Sequence, residues 1–146
     1  MSRAVFDTTV LISAFLRPGG VSDELLDLAS SAEFSLILST PILDETADKL
    51  LTSKRIRARY GYPDEDARRY LEKLDGLCEL VDELPPLSGV VRDPNDDVVL
   101  ATAVAANATY LVSRDKDLLD LGAYEGIAIT TPEEFRGFLR RNEATK

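Results

Sequence analysis

The sequence predicts an α/β fold, a three-layer α/β/α arrangement around a central, mostly parallel sheet of about five strands. Three observations carry that expectation. Short apolar segments of strand character alternate with longer stretches of helical period. Three expected helix starts place a capping side chain directly before a proline. With 146 residues, 45% hydrophobic and 29% charged, the chain has a composition that can bury a core, unlike disordered chains of low hydrophobicity. Strand and helix in alternation imply parallel strands joined by crossovers, with helices on both faces.

Taken in order, Ala4-Val5-Phe6 is the first strand segment, and a helix begins near Thr8. Phe34-Ser35-Leu36-Ile37-Leu38 is the second strand. Thr40-Pro41 then opens a helix with an apolar stripe through Ile42, Leu43, Ala47, Leu50 and Leu51. Pro63 followed by Asp64, Glu65 and Asp66 opens another, with acids favoured at the positive helix end. After the third strand segment, Glu79-Leu80-Val81, Asp93-Pro94 starts a helix that is apolar almost all round. Tyr110-Leu111-Val112 is the fourth strand and Ile127-Ala128-Ile129 the fifth. Thr131-Pro132, with Glu133 and Glu134, opens the last helix. Repeats, low-complexity tracts and long linkers are missing from the pattern, so residues 1–146 are expected to form a single domain.

The residues the chain lacks prune its chemistry. With no histidine it has no Ser-His-Asp triad, no His acid–base catalyst and no His-ligated metal site. A lone cysteine, Cys78, excludes an internal disulfide and a Cys-cluster zinc site, and is expected to be a small buried hydrophobe. A signal-type leader and a run of roughly 20 apolar residues are both wanting, so a cytoplasmic location without membrane contact is expected. A formal charge of −9 argues against holding nucleic acid by overall positive charge. It leaves room for an enzyme whose acids gather around metal ions.

Several acids exceed what capping explains. Ligands of open α/β sheets bind at the carboxyl ends of the strands, and Asp7 ends the first strand inside a nearly continuous apolar run. A carboxylate there is costly unless paired or metal-bound, although a cap for the helix near Thr8 is the alternative. With Asp93 already placed to cap, Asp97 aligns with Ala101 and Val104 and is assigned to function, while Asn95 and Asp96 are expected in solvent. Asp115 and Asp117 follow the fourth strand, and either is able to cap the helix that Leu118 and Leu119 help bury. Ser113 is placed to orient a carboxylate or to be an ordinary strand-end hydroxyl. Glu45 lies off the apolar stripe of its helix but close to the second strand's end, on the same edge as Asp7.

Val5-Phe6-Asp7-Thr8-Thr9-Val10-Leu11, Leu43-Asp44-Glu45, the stretch from Asp93-Pro94-Asn95-Asp96-Asp97 to Ala103, and Leu111-Val112-Ser113-Arg114-Asp115-Lys116-Asp117-Leu118-Leu119 together resemble the PIN-domain nucleases. The likeness is greatest to the VapC-like toxins of prokaryotic toxin–antitoxin pairs, and runs on through Ile127 to Phe135. It implies that Asp7, Glu45, Asp97 and Asp115 are catalytic, metal-binding acids, with Asp117 a fifth ligand and Thr9 and Ser113 in support. It further implies Mg²⁺ or Mn²⁺ as cofactor, RNA as substrate, a homodimer, and a separate antitoxin chain. Thr9 stands where the family's first motif usually has Asn, offering one hydroxyl in place of a two-ended amide.

The chemistry agrees with the residue types. Hard divalent ions prefer carboxylate and water oxygen, the ligand set a histidine-free chain assembles most readily. Two carboxylates about 5 Å apart repel by roughly 3 kcal/mol at an effective dielectric near 20, so four gathered together must bind cations or protons. Metal ions would also activate water, so no covalent protein nucleophile is needed. Residues 49–73 carry a net +4 against −13 for the remainder. Lys54, Arg55, Arg57 and Arg59 within that stretch are candidate RNA-binding residues, a solvated helix pair or a partner surface being the alternatives. Tyr60 and Tyr62 are placed either to stack bases or to pack. Two other functional classes remain open. One is a PIN-like module that binds RNA or a partner without cutting. The other is a haloacid-dehalogenase-type phosphatase with Asp7 as nucleophile, weakened because Thr9 occupies the place of the second acid.

Overall fold

A computed structural model describes residues 1–144. Its elements follow in the order β1 (Arg3–Phe6), α1 (Thr8–Leu16), α2 (Val21–Ser30), β2 (Ser35–Leu38), α3 (Thr40–Thr52), α4 (Lys54–Tyr60) and α5 (Asp64–Leu77). Then come β3 (Glu79–Leu80), α6 (Pro94–Ala105), β4 (Tyr110–Val112), α7 (Lys116–Leu121), β5 (Ala123–Tyr124), β6 (Ile127–Thr130) and α8 (Pro132–Ala144). The strands form one sheet in the order β3-β2-β1-β4-β6-β5, parallel except for the β5–β6 hairpin.

Neighbouring residues of a strand face opposite sides, and Ala4, Val5 and Phe6 are all fully buried, so both faces of the sheet are covered. The five expected strands are present as β1, β2, β3, β4 and β6, and a sixth, β5, joins them. Two residues are too few for an alternating pattern to register. β5 exists because Glu125 and Gly126, at φ 47° and 81°, turn the chain back onto it.

Helix starts follow local chemistry, with one shift. Asp93 Oδ1 accepts from Asn95 N at 2.9 Å, and Thr131 and Glu134 exchange side-chain-to-backbone bonds at 3.1 and 2.9 Å, a reciprocal capping box. Thr40, expected as a cap, lies inside α3 behind Ser39. Asp82, from the segment after β3, accepts its N–H and its hydroxyl, both at 2.9 Å. Cys78 is half-buried instead of sealed in the core. At the centre of that core Phe6, Phe34 and Phe135 pack with ring centroids 4.9 to 6.1 Å apart, tying α8 to the sheet.

The topology fixes where a ligand belongs. The chain steps outward from β1 through β2 to β3, then returns along α6 and lays β4 on β1's other side. Strand order therefore reverses between β1 and β4, and the crevice at their carboxyl ends is the favoured site. Among the described residues no helix is long and apolar enough to cross a membrane. Phe135→Ala should lower the unfolding free energy in urea by about 3–5 kcal/mol, because the cavity opens among three rings and not at a surface.

Candidate metal centre

Asp7 follows β1 directly. Its N–H donates to Val112 O at 3.1 Å, extending the β1–β4 pairing to the crevice, and its Oδ1 caps α1 by accepting from Val10 N at 3.2 Å. Two hydroxyls complete its shell. Thr9 Oγ1 donates to Oδ1 at 2.5 Å, and Ser113 Oγ donates to Oδ2. Each hydroxyl also accepts a backbone N–H of the turn after β4: Arg114 N to Thr9 at 3.1 Å and Asp115 N to Ser113 at 2.8 Å. The 113–115 turn is thus fastened to both oxygens of Asp7. A single Thr9 hydroxyl serves as donor and acceptor at once.

Asp115 caps α7, accepting from Asp117 N at 2.8 Å. Asp96, Asp115 and Asp117 each bring a carboxylate oxygen to one spot, all within 4.8 Å of one another. Here the structure corrects two expectations. Asp96, expected in solvent, is 7% exposed and belongs to this cluster. Asp97, expected at the site, commits both oxygens elsewhere, accepting from Val91 N at 2.8 Å and Gly89 N at 3.0 Å. Successive helical residues lie about 100° apart, so one of the pair had to turn away. Asp96 shares its face with Leu100 and Ala103, both fully sealed, whereas Asp97 shares its face with Ala101 and the half-exposed Val104.

Electrostatics single out Asp96. Burial first, then the charges of Asp115, Asp93, Asp7 and Asp117, push its carboxyl up to about 7. Its Oδ2 is buried without a hydrogen-bond partner among the described residues. Asp7 is raised to about 6 by burial. Hydrogen bonds from Ser113, Thr9 and Val10 oppose that rise, and Asp115 adds to it. A buried, unpartnered oxygen amid like charges is the donor set a cation satisfies. Oxygens on one ion at ~2.1 Å lie up to about 4.2 Å apart, so small side-chain shifts would let the three carboxylates share a hard divalent ion.

Glu45 stands outside the three-acid group. Thr8 Oγ1 donates to its Oε2 at 3.3 Å, and Lys49 pairs with Oε1 at 3.4 Å. It lines a small crevice with Asn95, Val98 and Val99, which places it on the margin between α3 and α6. Of the basic candidates, Lys54, Arg55 and Arg59 are exposed, and the Arg59 guanidinium lies over the Tyr60 ring. Arg57 does not share their freedom. It donates to Leu50 O and Tyr62 O, both at 3.1 Å, and pairs with Asp64 at 2.5 Å, fixing the α4–α5 turn. Tyr62 packs edge-on against Phe15 and donates to Leu50 O, a packing role. Sequence reasoning missed Asp96. Its signal was an acid four residues before Leu100 and seven before Ala103.

A sequence profile described as PIN domain matches residues 3–117. An uncharacterized protein of Methanocaldococcus jannaschii is 30% identical over 121 residues, covering 82% of this chain and 74% of the relative. Two solved structures share the fold. The crystal structure of VapBC2 from Rickettsia felis, bound to a DNA fragment from its promoter, superposes with a TM-score of 0.59 at 17% identity, covering 87% of this chain and 96% of that one. A protein of Pyrobaculum aerophilum gives 0.62 at 21% identity, covering 98% and 90%.

The two neighbouring acids of α6 should answer substitution in opposite ways. Asp96 and Asp7 have folded pKa values above the unfolded 3.8, so the native chain binds more protons than the unfolded one between about pH 4 and 7. Their contribution is greatest at the acid end and is lost as pH rises through about 6–7. In chelator, Asp96→Asn should therefore melt higher than wild type near pH 7.5, by roughly 4 °C per kcal/mol of relieved strain, with the gap closing toward about pH 5. Asp97→Asn should melt lower at both pH values, by about 1–3 kcal/mol, since its amide NH₂ cannot accept a backbone N–H. Thermal scans at the two pH values measure both.

Proposed function

The chain belongs to the PIN-domain family, and from that premise and the acid cluster we propose that it is a metal-dependent endoribonuclease. The observation that carries the reading is the trio Asp96, Asp115 and Asp117 at the strand-order reversal, with one Asp96 oxygen buried and unpartnered. In this reading those three side chains hold a Mg²⁺ or Mn²⁺ ion, Asp7 completes the acidic wall, and Glu45 borders it. Asp96 takes the role that the sequence pattern gave to Asp97. When bound, a divalent cation supplies Lewis acidity to the phosphodiester and brings water into reach as a nucleophile near neutral pH.

The protein's own groups hold the geometry. Thr9 and Ser113 keep Asp7 oriented and, through the Arg114 and Asp115 amides, set Asp115 relative to it. Asp117 is held by its backbone bond to Asp115 and faces the cluster from the first turn of α7. The exposed Lys54, Arg55 and Arg59 are proposed to meet the RNA backbone from α4. An aspartyl-nucleophile phosphatase finds no support: Asp7 is 3% exposed and both its oxygens accept hydrogen bonds.

The VapBC2 neighbour supports a finer reading, in which the chain is a toxin restrained by a cognate antitoxin; to this we add the proposal that it works in the cytoplasm as a homodimer of single-domain subunits. The test is cleavage of a random-sequence single-stranded RNA pool in Mn²⁺ or Mg²⁺. Wild type should cut and lose activity in chelator, and Asp96→Asn and Asp115→Asn should each lower the rate by about a hundredfold or more. Calorimetry should show Mn²⁺ binding to wild type and its loss in Asp96→Asn. A wild-type rate in either variant would remove the assignment.

A further inference from the structure

The segment 89–93 is pinned to the fold at both ends, yet the Arg92 side chain between its anchors is exposed and makes a long ion pair. Asp97 accepts from Gly89 N and Val91 N, the Val91 side chain is buried in the core, and Asp93 caps α6. Gly89 takes φ +73°, a conformation that favours glycine. Arg92 sits between these anchors with its side chain 89% exposed, and its nearest charge is Asp117, with Nε 3.9 Å from Oδ2. Such an exposed, long ion pair is worth little. It differs from the other arginine at the rim, Arg114, whose guanidinium is held two-pronged by Glu133 at 3.1 and 2.6 Å.

We propose that Arg92 is a substrate-binding residue that grips a phosphate of the RNA chain beside the acid cluster. This rests on the endoribonuclease reading above and names a contact that reading lacks. A guanidinium presents a planar fork matched to two phosphate oxygens. Its value depends on where the fork starts, and here the backbone is fixed while the head is exposed and only loosely paired. Neutralising Asp117 weakens the charge pair that holds Arg92 among the described residues, so a filled acid cluster leaves the fork more available to an anion. Asp97 then acts at one remove, as the positioning residue that holds the Arg92 backbone over the site.

The test compares wild type with Arg92→Ala and Arg92→Lys on a random-sequence single-stranded RNA pool in Mn²⁺. In Arg92→Ala, kcat/KM should fall about ten- to a hundredfold, mostly through KM, with Lys restoring part of it. The slope of log affinity against log salt should shrink by roughly 0.7, the share of one single-strand phosphate. Mn²⁺ affinity by calorimetry and the melting temperature should not weaken. An Ala variant within about twofold of wild type in kcat/KM, at unchanged salt slope, overturns the proposal. So does a loss of Mn²⁺ affinity in step with activity, which would make Arg92 a support of the acid cluster. If wild type binds Mn²⁺ but neither binds nor cuts RNA, the endoribonuclease reading falls first, a result distinguishable from either of these.

Discussion

Mutual repulsion among carboxylates is the constraint around which the rest of this molecule is arranged. The charges of Asp115, Asp93, Asp7 and Asp117 raise the proton affinity of Asp96, and that of Asp115 raises the proton affinity of Asp7, in a crevice where burial already penalises the charged form. A fold that merely needed stability would replace such a group with apolar side chains at no loss. This one holds the acids in place from several directions. The β1–β4 ladder carries Asp7, the Thr9 and Ser113 hydroxyls lock the following turn to it, and Asp93 and Asp97 fix the start of α6.

Three helices start at that point, and this makes the crowding tolerable. Asp7 caps α1, Asp115 caps α7, and Asp96 and Asp117 lie in the first turns of α6 and α7. Each helix presents its positive end to the crevice, and a carboxylate in the first turn gains about 0.3–1 kcal/mol from it at the surface and more where partly buried. Capping and chemistry are therefore not rival explanations for these acids. A cap occupies one lone pair of a carboxylate oxygen and leaves the others to a cation, so the same side chain starts the helix and faces the site.

The architecture was legible because its signals are local and redundant. β1, β2, β4 and β6 announce themselves as buried β-type runs, and Asp93-Pro94 and Thr131-Pro132 mark α6 and α8 chemically. Thr40 misled because the proline settled at the second helical position, and the real partner, Asp82, comes from a segment 42 positions away. The site was legible to the element but not to the side chain. α6 is buried on nearly all sides, so an apolar-stripe argument has no contrast to work with, and it chose Asp97, whose oxygens the Gly89 and Val91 amides occupy, where Asp96 joins the cluster. Arg57 illustrates the same limit: its charge reads as RNA-binding until Leu50 O, Tyr62 O and Asp64 are seen to consume it.

An overall charge of −9 poses a last question for a chain proposed to act on a polyanion. Charges beyond about 8 Å in physiological salt are largely screened, so the sum over the molecule matters less than what lies next to the substrate. Near the crevice the balance shifts once the acids are counted with the cation they would hold. Further out, several bases of the positive stretch have acidic neighbours that offset their charge: Lys49 beside Glu45, Arg57 beside Asp64 and Arg69 beside Glu65. Lys54, Arg55 and Arg59 lie past the end of α3, about 10 Å of helix from Glu45. Attraction from afar is therefore weak, and RNA affinity in this reading comes from a few short contacts.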